Sequence, residues 1–205
     1  MEVGIFVFEG ADELDIVGPY RVFGAVGDVA PFVPAPTLTV RLVAEKHGPI
    51  RLAHGMSIDA TESFESCPPL DVLFLPGGGS NSETAGRRIE QKKGSSIAFV
   101  RERAEQASIV ASVCTGAFLL AEAGLLAGRR ANTHWHSRAE LGELMERRGE
   151  KFELVPQRVV WDGDLVSGGG VTSGIDIALE IVARLCGEPV RAAVEAVLEL
   201  ETPPA

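Results

Sequence analysis

The sequence predicts an α/β protein with a doubly wound, mostly parallel central sheet. Short apolar runs alternate with segments of helical periodicity along the chain, which is typical of this fold class. The first apolar run barely alternates between apolar and polar residues, as expected for a strand buried on both faces. Another run ends at Cys114, and a helical pattern begins directly after it. No repeat and no boundary to a second domain is visible, so residues 1–205 are predicted to form a single domain.

The first half of the chain is predicted to supply three core strands, a hairpin and two helices. The strands are expected at residues 3–8, 38–44 and 71–75, the hairpin at residues 50–58 with its turn near His54-Gly55, and the second helix at residues 97–106. Gly18-Pro19 is expected to open the first helix, because a proline in the first helical turn loses no hydrogen bond. The most loop-like segments are residues 27–36 and 79–96.

The second half is predicted to continue the alternation. The elements are expected at residues 109–113 (a strand), 137–148 (a helix), 159–161 and 165–167 (a hairpin), 175–185 (a helix) and 189–200 (a helix). Asp162-Gly163 supplies the hairpin turn. Gly124 is placed to end the helix after Cys114 in a left-handed conformation. The glycines at residues 168–170 are expected to mark a strand end with close backbone packing.

The composition argues against several classes of function. The 19 basic and 29 acidic residues give a formal charge of −10, and such an acidic surface repels phosphate backbones, so no nucleic-acid partner is expected. Residues 1–8 lack the pattern of a signal peptide. No apolar stretch reaches the ~18 residues that a membrane span needs. Three cysteines are an odd, sparse set, which favours a cytoplasmic location over a disulfide framework.

Cys114 is the strongest candidate for a catalytic residue. It lies where a predicted strand ends and a predicted helix begins, and there the helix dipole and unpaired backbone N–H groups favour a thiolate. Such a strand-to-helix turn also directs the side chain outward, as in the nucleophile elbow of hydrolases. The alternative is that Cys114 is a small buried hydrophobic residue. Cys67 and Cys186 lie at no such turn and are interpreted as inert.

Asp15 is the strongest candidate for an acid–base partner. In an open parallel sheet, reactive groups collect beyond the C-terminal ends of the strands, where the loop after the first strand also lies. Asp15 lies between Leu14 and Ile16, an unusual setting for a solvated carboxylate. It is either a helix-capping residue or a carboxyl group with a raised pKa that passes a proton to and from the thiol. Asp12 and Glu13 are expected to be solvated.

Backbone N–H groups are expected to complete this site. The run at residues 77–79 lacks a phosphate-binding fingerprint, so it is either a tight turn or a close approach of backbone to substrate. Thr115 offers a further N–H group and a hydroxyl. His134 and His136 flank Trp135 like a metal-binding pair, but no third ligand accompanies them, which favours a structural or surface role; no metal site is predicted.

These motifs resemble the ThiJ/PfpI superfamily, which is related to class I glutamine amidotransferases. The matching segments are residues 8–19, Pro68-Pro69-Leu70-Asp71-Val72, Leu75-Pro76-Gly77-Gly78, Ser112-Val113-Cys114-Thr115-Gly116, Thr133-His134-Trp135, Asp162-Gly163 and residues 167–176. They cover nearly the whole chain. The chain is most similar to the isocyanide hydratase branch, because Asp15 stands where many relatives have glutamate and Thr115 stands where protease-like members have histidine.

The resemblance implies a fold, a site and an assembly. It implies a flavodoxin-like three-layer sandwich with a nucleophile elbow, a homodimer, a small-molecule substrate and no required cofactor. Cys114 is then the catalytic nucleophile and Asp15 the catalytic acid and base. Thr115 is a catalytic and substrate-binding group, and Gly78 is a substrate-binding group. Residues 27–36 and 80–93 look longer than in the hydratase branch, and such loops shape pockets.

Four functions follow from these residues as alternatives. The leading one is hydration of an organic isocyanide to an N-formamide through a covalent thioimidate on Cys114. A glyoxalase or deglycase acting on reactive dicarbonyls needs the same thiol and carboxyl group. A redox sensor would instead oxidise Cys114 reversibly. A ligand-sensing module of the kind fused to DNA-binding domains is disfavoured, because little sequence follows Leu200 and the charge is acidic.

Overall fold

The computed structural model describes residues 1–78 and 85–200 and contains a seven-stranded central sheet. The strands are β1 (Glu2–Phe6), β2 (Thr39–Ala44), β3 (Gly48–Arg51), β4 (Ser57–Ala60), β5 (Glu62–Ser63), β6 (Val72–Leu75), β7 (Ile109–Ser112), β8 (Arg130–Ala131), β9 (Glu153–Leu154), β10 (Val159–Asp162) and β11 (Leu165–Gly168). The helices are α1 (Glu13–Val29), α2 (Arg87–Glu90), α3 (Gly94–Gln106), α4 (Ala117–Glu122), α5 (Arg138–Arg147), α6 (Ser173–Cys186) and α7 (Glu188–Val197). Short 3₁₀ turns cover Cys114–Gly116 and Trp135–Ser137.

The central sheet is mostly parallel, as predicted. Its strand order is β10-β11-β7-β6-β1-β2-β5. Among the described strands of this sheet, β10 pairs antiparallel with β11 and the other pairs are parallel. The central strands β6 and β7 are buried along their whole length, because helices cover both faces of the sheet. The carboxyl ends of β1, β6 and β7 therefore lie side by side, and the segments that follow them meet at one edge.

Two groups of helices complete a three-layer sandwich. Helices α1, α6 and α7 pack against one another, and α3, α4 and α5 form the second group. The predicted fold class, an α/β sandwich with a mostly parallel sheet and a strand-to-helix elbow, is confirmed. In the part of the chain that the structure describes, no helix has the length and apolar character needed to cross a membrane.

The start of α1 differs from the prediction. Gly18-Pro19 was expected to open this helix, but α1 begins at Glu13 and Pro19 lies inside it. Asp12 is the capping residue, since its Oδ1 accepts a hydrogen bond of 3.0 Å from the N–H of Leu14. A local capping side chain thus decides where this helix begins, and Asp15 lies in its first turn instead of ahead of it.

The predicted loops are partly helical. Helix α1 continues to Val29, so the loop expected at residues 27–36 begins later. The loop expected at residues 79–96 contains α2 and the start of α3. Residues 79–84, which include the first part of the long segment noted at residues 80–93, lie outside the described part of the chain. The pairings of β5, β8 and β9 were not predicted, because two-residue strands carry no periodic signal.

Both predicted hairpins are confirmed. Strands β3 and β4 pair antiparallel as a separate small sheet, and β10 and β11 form the second hairpin around Gly163, whose φ is +64°. Gly124 ends α4 with a φ of +78°, as expected for a left-handed helix end. Gly168 ends β11, where a Cβ would lie 2.8 Å from the carbonyl oxygen of Arg158, so the expected close backbone packing is present.

Candidate active site

Cys114 occupies the elbow between β7 and α4 in a left-handed backbone conformation. Its φ is +55°, which costs a non-glycine residue about 1–2 kcal/mol. Neighbouring segments hold this conformation: the backbone N–H of Cys114 donates to the carbonyl of Gly169 over 2.8 Å. The carbonyl of Cys114 accepts from Thr133 Oγ1 over 2.7 Å and from the N–H of His134 over 3.3 Å. The elbow is therefore a fixed feature of the fold, braced by the segments that follow β8 and β11.

Asp15 is fully buried in the first turn of α1. Its Oδ2 accepts a hydrogen bond of 2.8 Å from the N–H of Gly77, directly beyond β6. Burial raises the pKa of Asp15 to about 8, and the charge of Asp12 adds to the rise, while the Gly77 N–H and the Cys114 thiol oppose it. Asp15 is consequently a carboxylic acid at neutral pH. Of the two roles open to it, capping belongs to Asp12, and Asp15 is the protonatable buried acid.

The structure brings the Asp15 carboxyl and the Cys114 thiol together. The thiol interacts with the carboxyl and lowers its pKa, and the carboxylate charge in turn raises the pKa of the thiol. Within the described residues, Asp15 Oδ1 has no partner that completes a hydrogen bond of good geometry. This oxygen is thus available to exchange a proton with the thiol or with a bound molecule. We refer to Asp15 and Cys114 as the dyad.

The expectation that the elbow favours a thiolate is wrong for the resting protein. Burial raises the pKa of Cys114 to about 12, and the Asp15 charge raises it further, while the backbone N–H groups of Val171 and Thr115 lower it. Cys114 is only 7% exposed, and α4 is a six-residue helix with a correspondingly small dipole effect. Desolvation therefore exceeds the effect of the helix end, and at neutral pH both members of the dyad carry a proton.

Gly77 and Gly78 fit the site because they have no side chain. A Cβ at Gly77 would collide with the backbone N and Oγ1 of Thr115, and one at Gly78 would collide with the backbone N of Asp12. Gly78 also has a φ of +117°, which L-residues rarely adopt. The N–H groups of this turn were expected to face a substrate. The Gly77 N–H binds Asp15, and the Gly78 N–H donates to Thr115 Oγ1 over 3.0 Å.

Thr115 is buried beside Cys114 and retains a hydrogen to donate. Its Oγ1 is engaged as an acceptor by Gly78, and among the residues described no acceptor binds its hydroxyl hydrogen. That hydrogen is therefore available to a bound molecule. Thr115 therefore remains a candidate substrate-binding group. The Gly78 N–H, which was expected to bind substrate, binds the Thr115 hydroxyl and holds it in place.

Replacing Thr115 with valine should leave the Gly78 N–H without an acceptor. We expect the free energy of unfolding to fall by about 1–3 kcal/mol, because a buried donor is then unpaired. Turnover should fall about tenfold with the loss of one hydrogen bond to the reacting molecule. Urea denaturation and steady-state kinetics measure the two effects. Thr115→Ser keeps the hydroxyl, so a serine variant as impaired as the valine variant would contradict this role.

His134 lies nearer to the site than the sequence indicated. Its backbone N–H supports the Cys114 carbonyl, and its ring packs on Gly170, where a Cβ would lie 2.7 Å from His134 Cδ2. Burial and the charges of His136 and Arg138 lower the pKa of the His134 ring, so the imidazole is neutral at pH 7. Its Nδ1 accepts from the N–H of His136. A separation of twenty residues from Cys114 gives no local signal for this contact.

The other acidic and thiol groups have distinct positions. Glu13 was expected to be solvated, but its carboxylate binds the backbone N–H and Nδ1 of His54, each over 2.7 Å. Potential metal ligands converge at Asp12, Glu13 and His54 in the described chain, and the hydrogen bonds to His54 already occupy the Glu13 carboxylate. Cys67 and Cys186 lie outside the dyad, and burial raises the pKa of both thiols, as expected for unreactive cysteines.

Comparison with known proteins places the chain among relatives along its whole length. Residues 1–184 match the model of the DJ-1/PfpI family. The chain is 37% identical to an isonitrile hydratase from Pseudomonas putida over 205 residues, which are 100% of this chain and 80% of that protein. It is 26% identical to a deglycase from Thermococcus kodakarensis over 169 residues, 82% of this chain and 89% of that one. A crystal structure of a ThiJ/PfpI family protein from Pseudomonas syringae superimposes with a TM-score of 0.85 and 29% identity, covering 99% of this chain and 76% of that chain.

Proposed function

The chain belongs to the DJ-1/PfpI family, and from this premise we propose that it is an isocyanide hydratase-like enzyme that converts an organic isocyanide to an N-formamide. The observation that carries the proposal is the buried dyad, a thiol beside a carboxyl group whose pKa lies near 8. An isocyanide carbon must accept both a nucleophile and a proton, and the dyad holds one of each at a single position. The 37% identity to an isonitrile hydratase supports the same chemistry.

The first chemical step forms a covalent intermediate. The reactive dyad holds one proton, so the Asp15 carboxylate takes the thiol proton and leaves a Cys114 thiolate. The sulfur donates an electron pair to the terminal isocyanide carbon, and the same carbon takes the proton from Asp15. A C–S bond and a C–H bond form, the carbon–nitrogen triple bond becomes a double bond, and the product is a thioimidate on Cys114 with Asp15 ionised.

The second step adds water and releases the product. Asp15 takes a proton from a water molecule whose oxygen attacks the thioimidate carbon, and the nitrogen takes that proton from Asp15. The C–S bond then breaks with its electron pair on sulfur, while the new hydroxyl gives its proton to Asp15. The products are the N-formamide and the one-proton dyad, so one water is consumed per isocyanide. In this scheme Thr115 donates its hydroxyl hydrogen to the reacting molecule, Gly78 supports Thr115, and no cofactor is needed.

Two of the alternative functions are retained with different support. A glyoxalase or deglycase would use the same dyad, and the similarity to a deglycase keeps this activity as the second candidate. A redox sensor is less well supported, because sulfur oxidation proceeds from an accessible thiolate, whereas Cys114 is buried and its pKa is raised to about 12.

A turnover assay tests the proposal directly. Purified protein is given a panel of alkyl and aryl isocyanides, and formamide release is followed by liquid chromatography, with methylglyoxal consumption measured in parallel. We expect formamide to form at a rate far above that of buffer. Methylglyoxal loss without formamide would assign the protein to the second candidate function, and inactivity toward both would reject the dyad as a catalyst of these reactions.

We also propose that the protein is a homodimer that pairs through α1. The exposed face of this helix carries few charges, and those it has are paired: Arg21 and Asp28 form an ion pair of 2.9 Å. Its exposed residues are Leu14, Val17, Tyr20, Arg21, Gly24, Gly27 and Asp28. A Cβ at Gly24 would meet nothing within 4 Å, so another helix has room to approach there. Two antiparallel α1 helices crossing at Gly24 would bring Arg21 of each copy to Asp28 of the other.

Gly24→Arg should therefore convert the dimer to a monomer. The long side chain blocks close approach of a second helix, while the isolated chain has space for it and gains helix propensity of about 1 kcal/mol. Light scattering after size exclusion should show a fall from twice the chain mass to 21.7 kDa. Gly142→Arg in α5, where a Cβ also meets nothing, is the matched control and should leave the mass unchanged. A dimeric Gly24→Arg variant would contradict the proposed interface.

We infer a cytoplasmic location from the state of the cysteines. All three are free thiols, and Cys67 and Cys114 are buried. Free thiols persist in a reducing compartment, whereas secreted proteins tend to pair them. A catalytic thiol also stays reduced there.

A further inference from the structure

Asp12 is fixed against the turn that holds the dyad. Its backbone N–H donates to the carbonyl of Gly77 over 3.0 Å, and the Cα of Gly78 packs so closely on it that a Cβ would collide. The next N–H groups along this turn bind Asp15 and Thr115. The position of the Asp12 carboxylate at the start of α1 is set by its capping hydrogen bond to Leu14. A negative charge therefore has a defined place one turn away from the dyad.

This charge acts on the site and is not neutralised by an ion pair. Within residues 1–78 and 85–200, Asp12 forms no salt bridge. A ring nitrogen of His54 lies within 4.8 Å of its carboxylate but is hydrogen-bonded to Glu13, and the Nε of Arg138 binds Asn132. The Asp12 charge raises the pKa of both Asp15 and Cys114, which shows that its field reaches the reacting groups. The protein as a whole carries a net charge of −10.

We propose that Asp12 is a specificity-determining residue that selects molecules reaching Cys114 by charge, admitting uncharged ones and disfavouring those that carry a carboxylate or phosphate. The substrate class follows from this and rests on the proposed function: uncharged alkyl or aryl isocyanides rather than isocyano acids. The selection acts through space, so it should fall as ionic strength rises.

The size of the effect follows from Coulomb's law. At an effective dielectric constant of about 20–40, the Coulomb repulsion between two like charges roughly 7 Å apart lowers the rate of an anionic reagent about tenfold or somewhat more, relative to an uncharged reagent. Partial exposure of Asp12 places the expected change at the low end, about five- to tenfold.

Alkylation of Cys114 tests the inference without requiring turnover. Iodoacetate and iodoacetamide are a charged and an uncharged reagent of nearly equal size, and peptide mass spectrometry gives the rate of each at Cys114. Asp12→Asn removes the charge and preserves the cap, because asparagine caps helices as well as aspartate does. We expect the iodoacetate-to-iodoacetamide rate ratio at Cys114 to rise about five- to tenfold in Asp12→Asn. Added NaCl should raise the wild-type ratio toward that of the variant.

Two controls make the result specific. Glu13→Gln removes a neighbouring carboxylate that is hydrogen-bonded to His54 and, unlike Asp12, is not among the charges that raise the pKa of Asp15 and Cys114, so the ratio should change less than twofold. The ratio at Cys186, which lies at the end of α6, should be the same in every variant. An unchanged ratio at Cys114 in Asp12→Asn, or an equal change in Glu13→Gln, would overturn the inference.

A substrate pair then connects this selection to catalysis. Methyl isocyanoacetate is uncharged and isocyanoacetate is an anion, and the ratio of their kcat/KM values should move in favour of the anion by the same five- to tenfold in Asp12→Asn. A shifted alkylation ratio with no turnover of either compound supports charge selection and rejects the hydratase function. Turnover of the ester with an unchanged kcat/KM ratio rejects charge selection and retains the hydratase function.

Discussion

Cys114→Ala is expected to abolish isocyanide turnover, with kcat lower by at least about 10⁴-fold. The scheme passes through a bond to the Cys114 sulfur, and the other two cysteines, Cys67 and Cys186, lie outside the dyad. The fold should persist, because alanine keeps the Cβ and the backbone hydrogen bonds to Gly169, Thr133 and His134. Formamide release by the variant, with circular dichroism to verify folding, measures the effect.

A cysteine control separates this role from general thiol chemistry. Cys186→Ser should retain full activity, since that thiol lies at the end of α6 and outside the dyad. Mass spectrometry of protein quenched during turnover should find the mass of the isocyanide added to Cys114 in the wild type and not in Cys114→Ala. Wild-type rates of formamide formation by Cys114→Ala would exclude the covalent scheme.

Asp15→Asn is expected to lower kcat/KM by about 10²–10⁴-fold, the usual contribution of a positioned acid and base. Asparagine can accept the Gly77 N–H in the same place, but it cannot take the thiol proton or protonate the isocyanide carbon. The wild-type kcat/KM should rise about tenfold per pH unit below pH 8 and level off above it, because the one-proton dyad forms as Asp15 ionises. The variant should lose this dependence, and a variant with the wild-type pH profile would contradict the assignment.

Asp15→Asn should raise the free energy of unfolding at pH 7, although it lowers the activity. The pKa of Asp15 is raised from 3.8 to about 8, so between these pH values the folded state binds more protons than the unfolded state. The contribution of Asp15 to the free energy of unfolding is therefore full below pH 3.8 and is lost as the pH rises toward 8. Asparagine has no such loss, and the variant should be more stable than the wild type at pH 7, by an amount on the order of 4 kcal/mol at most. Urea denaturation at pH 5 and pH 8 measures this; a destabilised variant would indicate a structural role for Asp15.

Much of the fold was predictable from local patterns. The runs that became β6 and β7 are continuous apolar segments, and burial on both faces of a parallel sheet produces that pattern. The elbow was predictable for the same reason, because the pattern changes period at Cys114. The candidate acid was found from its neighbours, since Leu14 and Ile16 make an apolar setting for Asp15.

The remaining features depend on contacts between distant segments. The acidity of Cys114 was predicted in the wrong direction, because helix-end effects are local whereas desolvation depends on how the whole sheet closes over the thiol. The start of α1 was misplaced because Pro19 is a strong local signal, yet Gly174 in α6 leaves room for its ring inside the helix. The hydrogen bonds of the Gly77 and Gly78 N–H groups likewise join residues far apart in the chain.

The residues that support the dyad lie far apart in the chain, so the reactivity of the Cys114 thiol reports whether the protein is folded. Asp15 and Gly77 are 62 residues apart, and their contact requires α1 and β6 to be in place together. Whenever a molecule opens, its Cys114 thiol returns to an ordinary acidity near pH 9 and becomes accessible to bulky thiol reagents. In the closed molecule the thiol is only 7% exposed, which excludes such reagents although small ones such as iodoacetamide can still reach it. The rate at which a bulky thiol reagent labels Cys114 therefore measures how often the protein opens, and the measurement needs neither an attached probe nor denaturant.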